Sequence, residues 1–149
     1  MDFNHPFITA SPQETARIGQ EFGNYVRKTG IHVVCLYGEL GSGKTTFAQG
    51  FAKAFGITFR LLSPTFIIVR RYDLTDERYL YHLDLYRLEN EEELGALGFS
   101  EMLADPSAII VIEWAEKLTR LLPKNRIDIH FRALEDGKHE IVIKRNSEL

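Results

Sequence analysis

Between residues 36 and 47 the chain reads "LYGELGSGKTTF", with Gly38, Gly41 and Gly43 closely spaced ahead of Lys44, Thr45 and Thr46. Glycines are costly to order, and they are justified where a backbone must curl closely around something. An anion fits, because successive backbone N–H groups can point inward where no side chain blocks the approach. Gly38, Gly43, Lys44 and Thr45 match the spacing G-x-x-x-x-G-K-[ST]. In that pattern the lysine reaches the β- and γ-phosphates of a nucleotide and the hydroxyl ligates Mg²⁺. Glu39, Leu40, Gly41 and Ser42 then form the curl. Gly43, Lys44, Thr45 and Thr46 lead into a helix whose positive end faces the phosphates.

Phosphate chemistry also needs carboxylates near the metal, and an acid at the end of a second buried strand is the usual source. Glu113, closing "AIIVIE", is the candidate, either holding a magnesium-bound water or orienting the attacking one. In "HLDLYRL", alternation with period two puts His82 and Asp84 on one face and Leu83 and Leu85 on the other. His82 reads as a structural histidine, whereas Asp84 is a second acid for the metal. Folding back of the chain near residues 75 and 76 is expected to bring Asp84 close to Thr65 in "SPTF". Thr65 either senses the γ-phosphate as a switch residue or simply caps a strand. No N-K-x-D segment of the guanine-reading kind occurs, so ATP is the expected nucleotide. Ser11, Thr15 and Arg132 are the candidates for contact with the base, although pattern alone assigns none of them.

Several elements must hold these groups in place. "SPQETARIGQEFGNYVRK" opens with Ser11 as N-cap, Pro12 at the first helical position and Glu14 as capping-box partner; Ile18, Phe22, Tyr25 and Val26 form an apolar face. "IHVVCLY" and "AIIVIEW" are continuous apolar runs, as expected of strands buried on both faces. A helix follows the glycines and is expected to end at Gly56. "TFIIVRRYD" and "YLYHLDLY" should pair antiparallel across "LTDER", and "RIDIHFRA" with "HEIVIKR" should form a C-terminal hairpin around Asp136-Gly137. Asn90 followed by three glutamates marks a helix start, and "AEKLTRLLP" reads as helical up to Pro123. Residues 1–149 therefore form a single α/β domain, P-loop NTPase-like, in which helices cover both faces of a mixed, partly parallel sheet.

Composition limits the partners. With 18 basic and 21 acidic residues and a formal charge of -3, the chain lacks the broad cationic surface that binds nucleic acid by counterion release. Contact with RNA is expected to be local or through a partner. The only cysteine, Cys35, lies in an apolar run and reads as a core side chain in a reducing compartment. No signal peptide or membrane span is legible, so a cytoplasmic protein with no membrane association is expected.

The four blocks "LYGELGSGKTTF", "SPTFIIVRRY", "YHLDLYRL" with "ELGALGFSEML", and "IEWAEKL" followed by "LLP" together resemble the TsaE (YjeE) family. The resemblance implies a bacterial P-loop ATPase needed to form threonylcarbamoyladenosine in tRNA. Such a subunit works with TsaB and TsaD, of which TsaD carries the transfer chemistry. Binding and slow hydrolysis of ATP would reorganise that complex between rounds, and tRNA would be met only through it. The family roles fall on Lys44 and Thr45 of the loop, on switch-like Thr65, and on the acids Asp84 and Glu113. Glu39 and Ala115 depart from the family, which often has aspartate and proline there. Two other readings remain open, a small-molecule kinase and a nucleotide-controlled binding module in which hydrolysis is incidental.

Overall fold

The computed structural model describes residues 1–58 and 69–146. In chain order the elements are β1 (Phe7–Thr9), α1 (Pro12–Thr29), β2 (Val33–Tyr37), α2 (Lys44–Lys53), β3 (Val69–Asp73), β4 (Tyr79–Asp84), α3 (Glu92–Ala96), α4 (Phe99–Ala104), β5 (Ala108–Glu113), a 3₁₀ turn (Ala115–Lys117), β6 (Arg126–Ala133) and β7 (His139–Asn146). The strands form one sheet in the order β1-β7-β6-β2-β5-β4-β3. β2 lies parallel to both β5 and β6, and β4 is parallel to β5. The β3–β4 and β6–β7 hairpins are antiparallel, as is the pairing of β1 with β7. The sheet is thus mixed, with a parallel centre and antiparallel flanks.

Alternation along the strands divides the interior into two cores. On one face Val34, Leu36, Ile109, Val111, Ile127 and Ile129 pack against Phe22 of α1 and Phe47 and Phe51 of α2. These three rings are wholly buried, and each contributes about 1.5–3 kcal/mol through removal from water. The opposite face carries Val33, Cys35, Leu83, Ile110 and Ile112 beneath Leu94 of α3 and Phe99 of α4. Cys35 lies there without access to water, and burial pushes its thiol pKa up to about 12.

Helices α1 and α2 meet through glycine. A Cβ at Gly50 would sit 2.0 Å from the Ala16 carbonyl oxygen, and one at Gly19 would sit 2.3 Å from that of Phe47. Backbones this close leave room for no larger residue, and the contact sets the position of α2 against the sheet.

Two sequence expectations need correction, and one element went unread. Helix α2 ends at Lys53, not at Gly56, and a turn carries the chain on to Gly56 at φ 75. "AEKLTRLLP" is not helical beyond the single 3₁₀ turn Ala115–Lys117. There the backbone N–H groups of Thr119 and Arg120, which a longer helix would bond internally, donate to the Glu91 carboxylate, and Leu118 becomes extended and buried. Finally, β1 had no sequence signal; it is a three-residue strand that exists by pairing with distant β7. Thr65 lies outside the described residues, as does its expected proximity to Asp84.

Candidate phosphate-binding site

The glycine loop leaves the carboxyl end of β2, where parallel strands of α/β sheets commonly present ligands. Gly38 has φ 148, and a Cβ there would lie 2.7 Å from both the Phe131 carbonyl oxygen and Ser42 Oγ. Its N–H donates to Glu116 Oε2 at 3.0 Å. Gly43 precedes α2 in a left-handed conformation, φ 105, and gives the helix no side-chain cap. The first N–H groups of a helix have no acceptor within it, so the entry to α2 offers donors beside a positive dipole end.

Lys44 is buried at this entry. Its ammonium donates to the Gly38 carbonyl and, at 2.9 Å, to that of Glu39, and it stands 3.9 Å from the Trp114 ring centroid. Burial lowers its pKa, while the carboxylates of Glu116, Glu113, Asp84 and Glu39 pull the other way. A desolvated ammonium gains by meeting an anion, whereas these acids already balance part of its charge.

Glu113 ends β5 at 2% exposure, on the same face of the sheet as Ile109 and Val111 and hence on the α2 side. Its Oε1 accepts from Thr45 Oγ1 at 2.8 Å, and its Oε2 is 2.6 Å from His82 Nε2 on β4. Asp84 lies beside Glu113 in the strand register and accepts from the Tyr86 N–H at 3.2 Å. Desolvation raises the Asp84 pKa first, and the charge of Glu113 adds to it.

The loop opens on a cleft of about 310 Å³ lined by Pro12, Thr15, Leu40, residues 41–46, Trp114 and His139. Leu40, Gly41, Ser42, Gly43, Lys44, Thr45 and Thr46 follow one another there, with Leu40 78% exposed at the tip, whereas Glu39 lines a separate hollow on the other side of the loop. His139 Nδ1 bonds the Ser42 carbonyl at 2.8 Å and must be the donor, since a carbonyl only accepts. Of the three candidates for base contact, Thr15 lines the cleft and bonds Thr9 through its hydroxyl at 2.7 Å. Ser11 caps α1, and Arg132 borders that separate hollow, of about 580 Å³, paired with Glu140. Trp114, Glu116 and His139 were not anticipated as site residues. His82 had one available signal, its shared face with Asp84.

Lysine and threonine after a glycine loop, set between a buried parallel strand and a helix with an acid on the neighbouring parallel strand, define the P-loop class of α/β domains. Within that class, the model of the family described as "Threonylcarbamoyl adenosine biosynthesis protein TsaE" matches residues 9–141. The chain belongs to the TsaE family. It is 37% identical over 133 residues to the tRNA threonylcarbamoyladenosine biosynthesis protein TsaE of Bacillus subtilis, covering 89% of this chain and 80% of that protein. The protein of the same name from Treponema pallidum is 36% identical over 136 residues, covering 91% and 97%. The crystal structure of Bacillus subtilis YdiB superposes with a TM-score of 0.73 at 29% identity, covering 97% of this chain and 86% of that one. Among the described residues, no helix is long and apolar enough to cross a membrane.

Proposed function

We propose that this chain binds ATP with Mg²⁺, hydrolyses it slowly, and thereby supports repeated rounds of N6-threonylcarbamoyladenosine formation in tRNA by a cytoplasmic TsaB–TsaD complex. Membership of the TsaE family supports the role in tRNA threonylcarbamoyladenosine biosynthesis. The observation that carries the nucleotide chemistry is the bond from Thr45 to buried Glu113 beside the glycine loop.

The donor set suits magnesium. Thr45 directs its hydroxyl proton to Glu113, which leaves the oxygen lone pairs for a cation, and Asp84 stands on the next strand. Among the described residues no group of three or more His, Cys, Asp or Glu is placed to hold a metal ion. Magnesium itself keeps several waters and binds through one or two protein oxygens plus substrate phosphates. When bound, magnesium–ATP supplies the phosphoanhydride to be cleaved and a cation that spreads its developing charge. Lys44 and the first amides of α2 would then hold the β- and γ-phosphates, and Thr45 would hold the metal. Glu113 and Asp84 would orient water there, and the switch-like role expected of Thr65 falls outside the described residues. tRNA is met only through the complex.

A small-molecule kinase fits less well. Arg71, half of the best arginine pair available for a lid, is held on β3 by Asp73 at 3.1 Å and lies over the Tyr79 ring.

Two experiments test the reading. A nucleotide at about a hundred times its dissociation constant adds roughly 2.7 kcal/mol to the native state. Lys44→Ala should lose that thermal stabilisation, and an unchanged shift refutes the site. In reconstitution with TsaB, TsaD, tRNA and the threonylcarbamoyl donor, the wild-type chain with ATP should sustain many modifications per complex, and Glu113→Gln should not. Equal multiple-round modification by Glu113→Gln makes hydrolysis incidental and favours a nucleotide-controlled binding module.

A further inference from the structure

Both oxygens of the Glu113 carboxylate are engaged, Oε1 by Thr45 and Oε2 by His82. Thr45 and Glu113 have roles in the nucleotide reading, whereas His82 has none. Yet its contact is the shorter, 2.6 Å against 2.8 Å, and the imidazole is only 14% exposed. An ionised carboxylate is acceptor-only, so Nε2 carries the proton in this pair. The terminal torsion of a glutamate is broad, and the carbon skeleton alone does not set which way its oxygens face. Here the second hydrogen bond does so.

We infer that His82 is a positioning residue for the metal edge of the site: its Nε2–H fixes the Glu113 carboxylate so that Oε1 takes the Thr45 hydroxyl proton and turns the hydroxyl lone pairs toward Mg²⁺. The inference rests on the proposed nucleotide site and adds to it a residue that touches neither phosphate nor metal. Strand pairing makes the arrangement rigid. His82 lies opposite Arg70 on β3 and Val111 on β5, so it is held from both sides, and Val111 is two residues before Glu113. Residues that orient metal ligands in this way typically change metal affinity about 10–100-fold when removed. A histidine that merely ties β4 to β5 would alter stability and leave the metal response untouched.

The test uses the full chain and a non-hydrolysable ATP analogue, with binding followed by calorimetry across a Mg²⁺ titration. His82→Ala should bind the analogue without Mg²⁺ as the wild type does, because Lys44 and the loop are intact. Its apparent Mg²⁺ affinity should be weaker by about 10–100-fold. His82→Gln, which keeps an N–H donor, should recover most of that loss. Wild-type Mg²⁺ dependence in His82→Ala overturns the inference, and so does a loss that glutamine does not restore. A second measurement needs no variant. In ¹⁵N-histidine-labelled wild-type protein, His82 should show a protonated Nε2, and a bare Nε2 overturns the inference. If the wild-type chain fails to bind the analogue at all, the nucleotide reading falls and takes this inference with it. Normal wild-type binding with an indifferent His82→Ala removes the inference alone.

Discussion

Asp84 and Glu113 stand side by side as register partners in the parallel pairing of β4 with β5. Two carboxylates at neighbouring strand ends repel, and both desolvation and Glu113 raise the Asp84 pKa above its ordinary value. A raised folded-state pKa means that folding disfavours the ionised form. The resulting penalty is present above that pKa and is relieved as pH falls through it. Asp84→Asn should therefore raise the melting temperature of the nucleotide-free protein near neutral pH and reduce the gain that the wild type shows on acidification toward its raised pKa. The same change should weaken Mg²⁺-dependent turnover more than ATP binding. Scanning calorimetry across that pH range checks the first part, and paired binding and turnover assays check the second. A lower melting temperature at neutral pH, with turnover intact, would make Asp84 a structural residue.

The glycine contact between α1 and α2 sets a stability prediction. Alanine is the better helix former by roughly 0.5–1 kcal/mol. At Gly50, however, its methyl group would lie 2.0 Å from the Ala16 carbonyl oxygen, a backbone atom that cannot move alone. Overpacking of this kind costs about 1–3 kcal/mol. Gly50→Ala should lower the urea midpoint without changing the slope, and because α2 begins at Lys44 it should also weaken nucleotide binding. A midpoint equal to or above the wild type would mean that the helices slide apart freely.

Those features that arise within a short stretch of chain were legible in the sequence. Ser11 caps as expected, its Oγ accepting from the Glu14 N–H at 3.2 Å, whereas Glu14 Oε2 reaches one residue further back than a capping box requires and accepts from the Ala10 N–H at 2.6 Å. The continuous apolar runs of β2 and β5 and the alternation in β6 and β7 carried the sheet in the same way. What stayed hidden depends on pairing between distant strands. His82 reaches Glu113 only because β4 lies parallel to β5, and β1 forms only because β7 offers it an edge. The misread stretch after Trp114 has good helical composition, but Glu91 takes its backbone donors from 28 and 29 residues away.

Glu116 offers a test in which two physical effects pull apart. Its carboxylate accepts the Gly38 N–H at 3.0 Å and is the largest of the charges raising the Lys44 pKa. It steadies the loop where the strand ends, and as an anion it also opposes incoming phosphates. Glu116→Gln keeps an acceptor and removes the charge, so it should bind ATP at least as tightly as the wild type. Glu116→Ala removes both. A hydrogen bond of this kind is worth about 0.5–1.5 kcal/mol, so the alanine variant should bind more weakly than the glutamine variant by up to about tenfold. Trp114 is the only tryptophan and stands 3.9 Å from Lys44 Nζ, so its fluorescence provides the titration signal. Equal affinity in the two variants would mean that the Gly38 tie contributes nothing to the binding loop. Weaker binding by glutamine than by the wild type would mean that the negative charge itself, through its hold on Lys44, is what prepares the site.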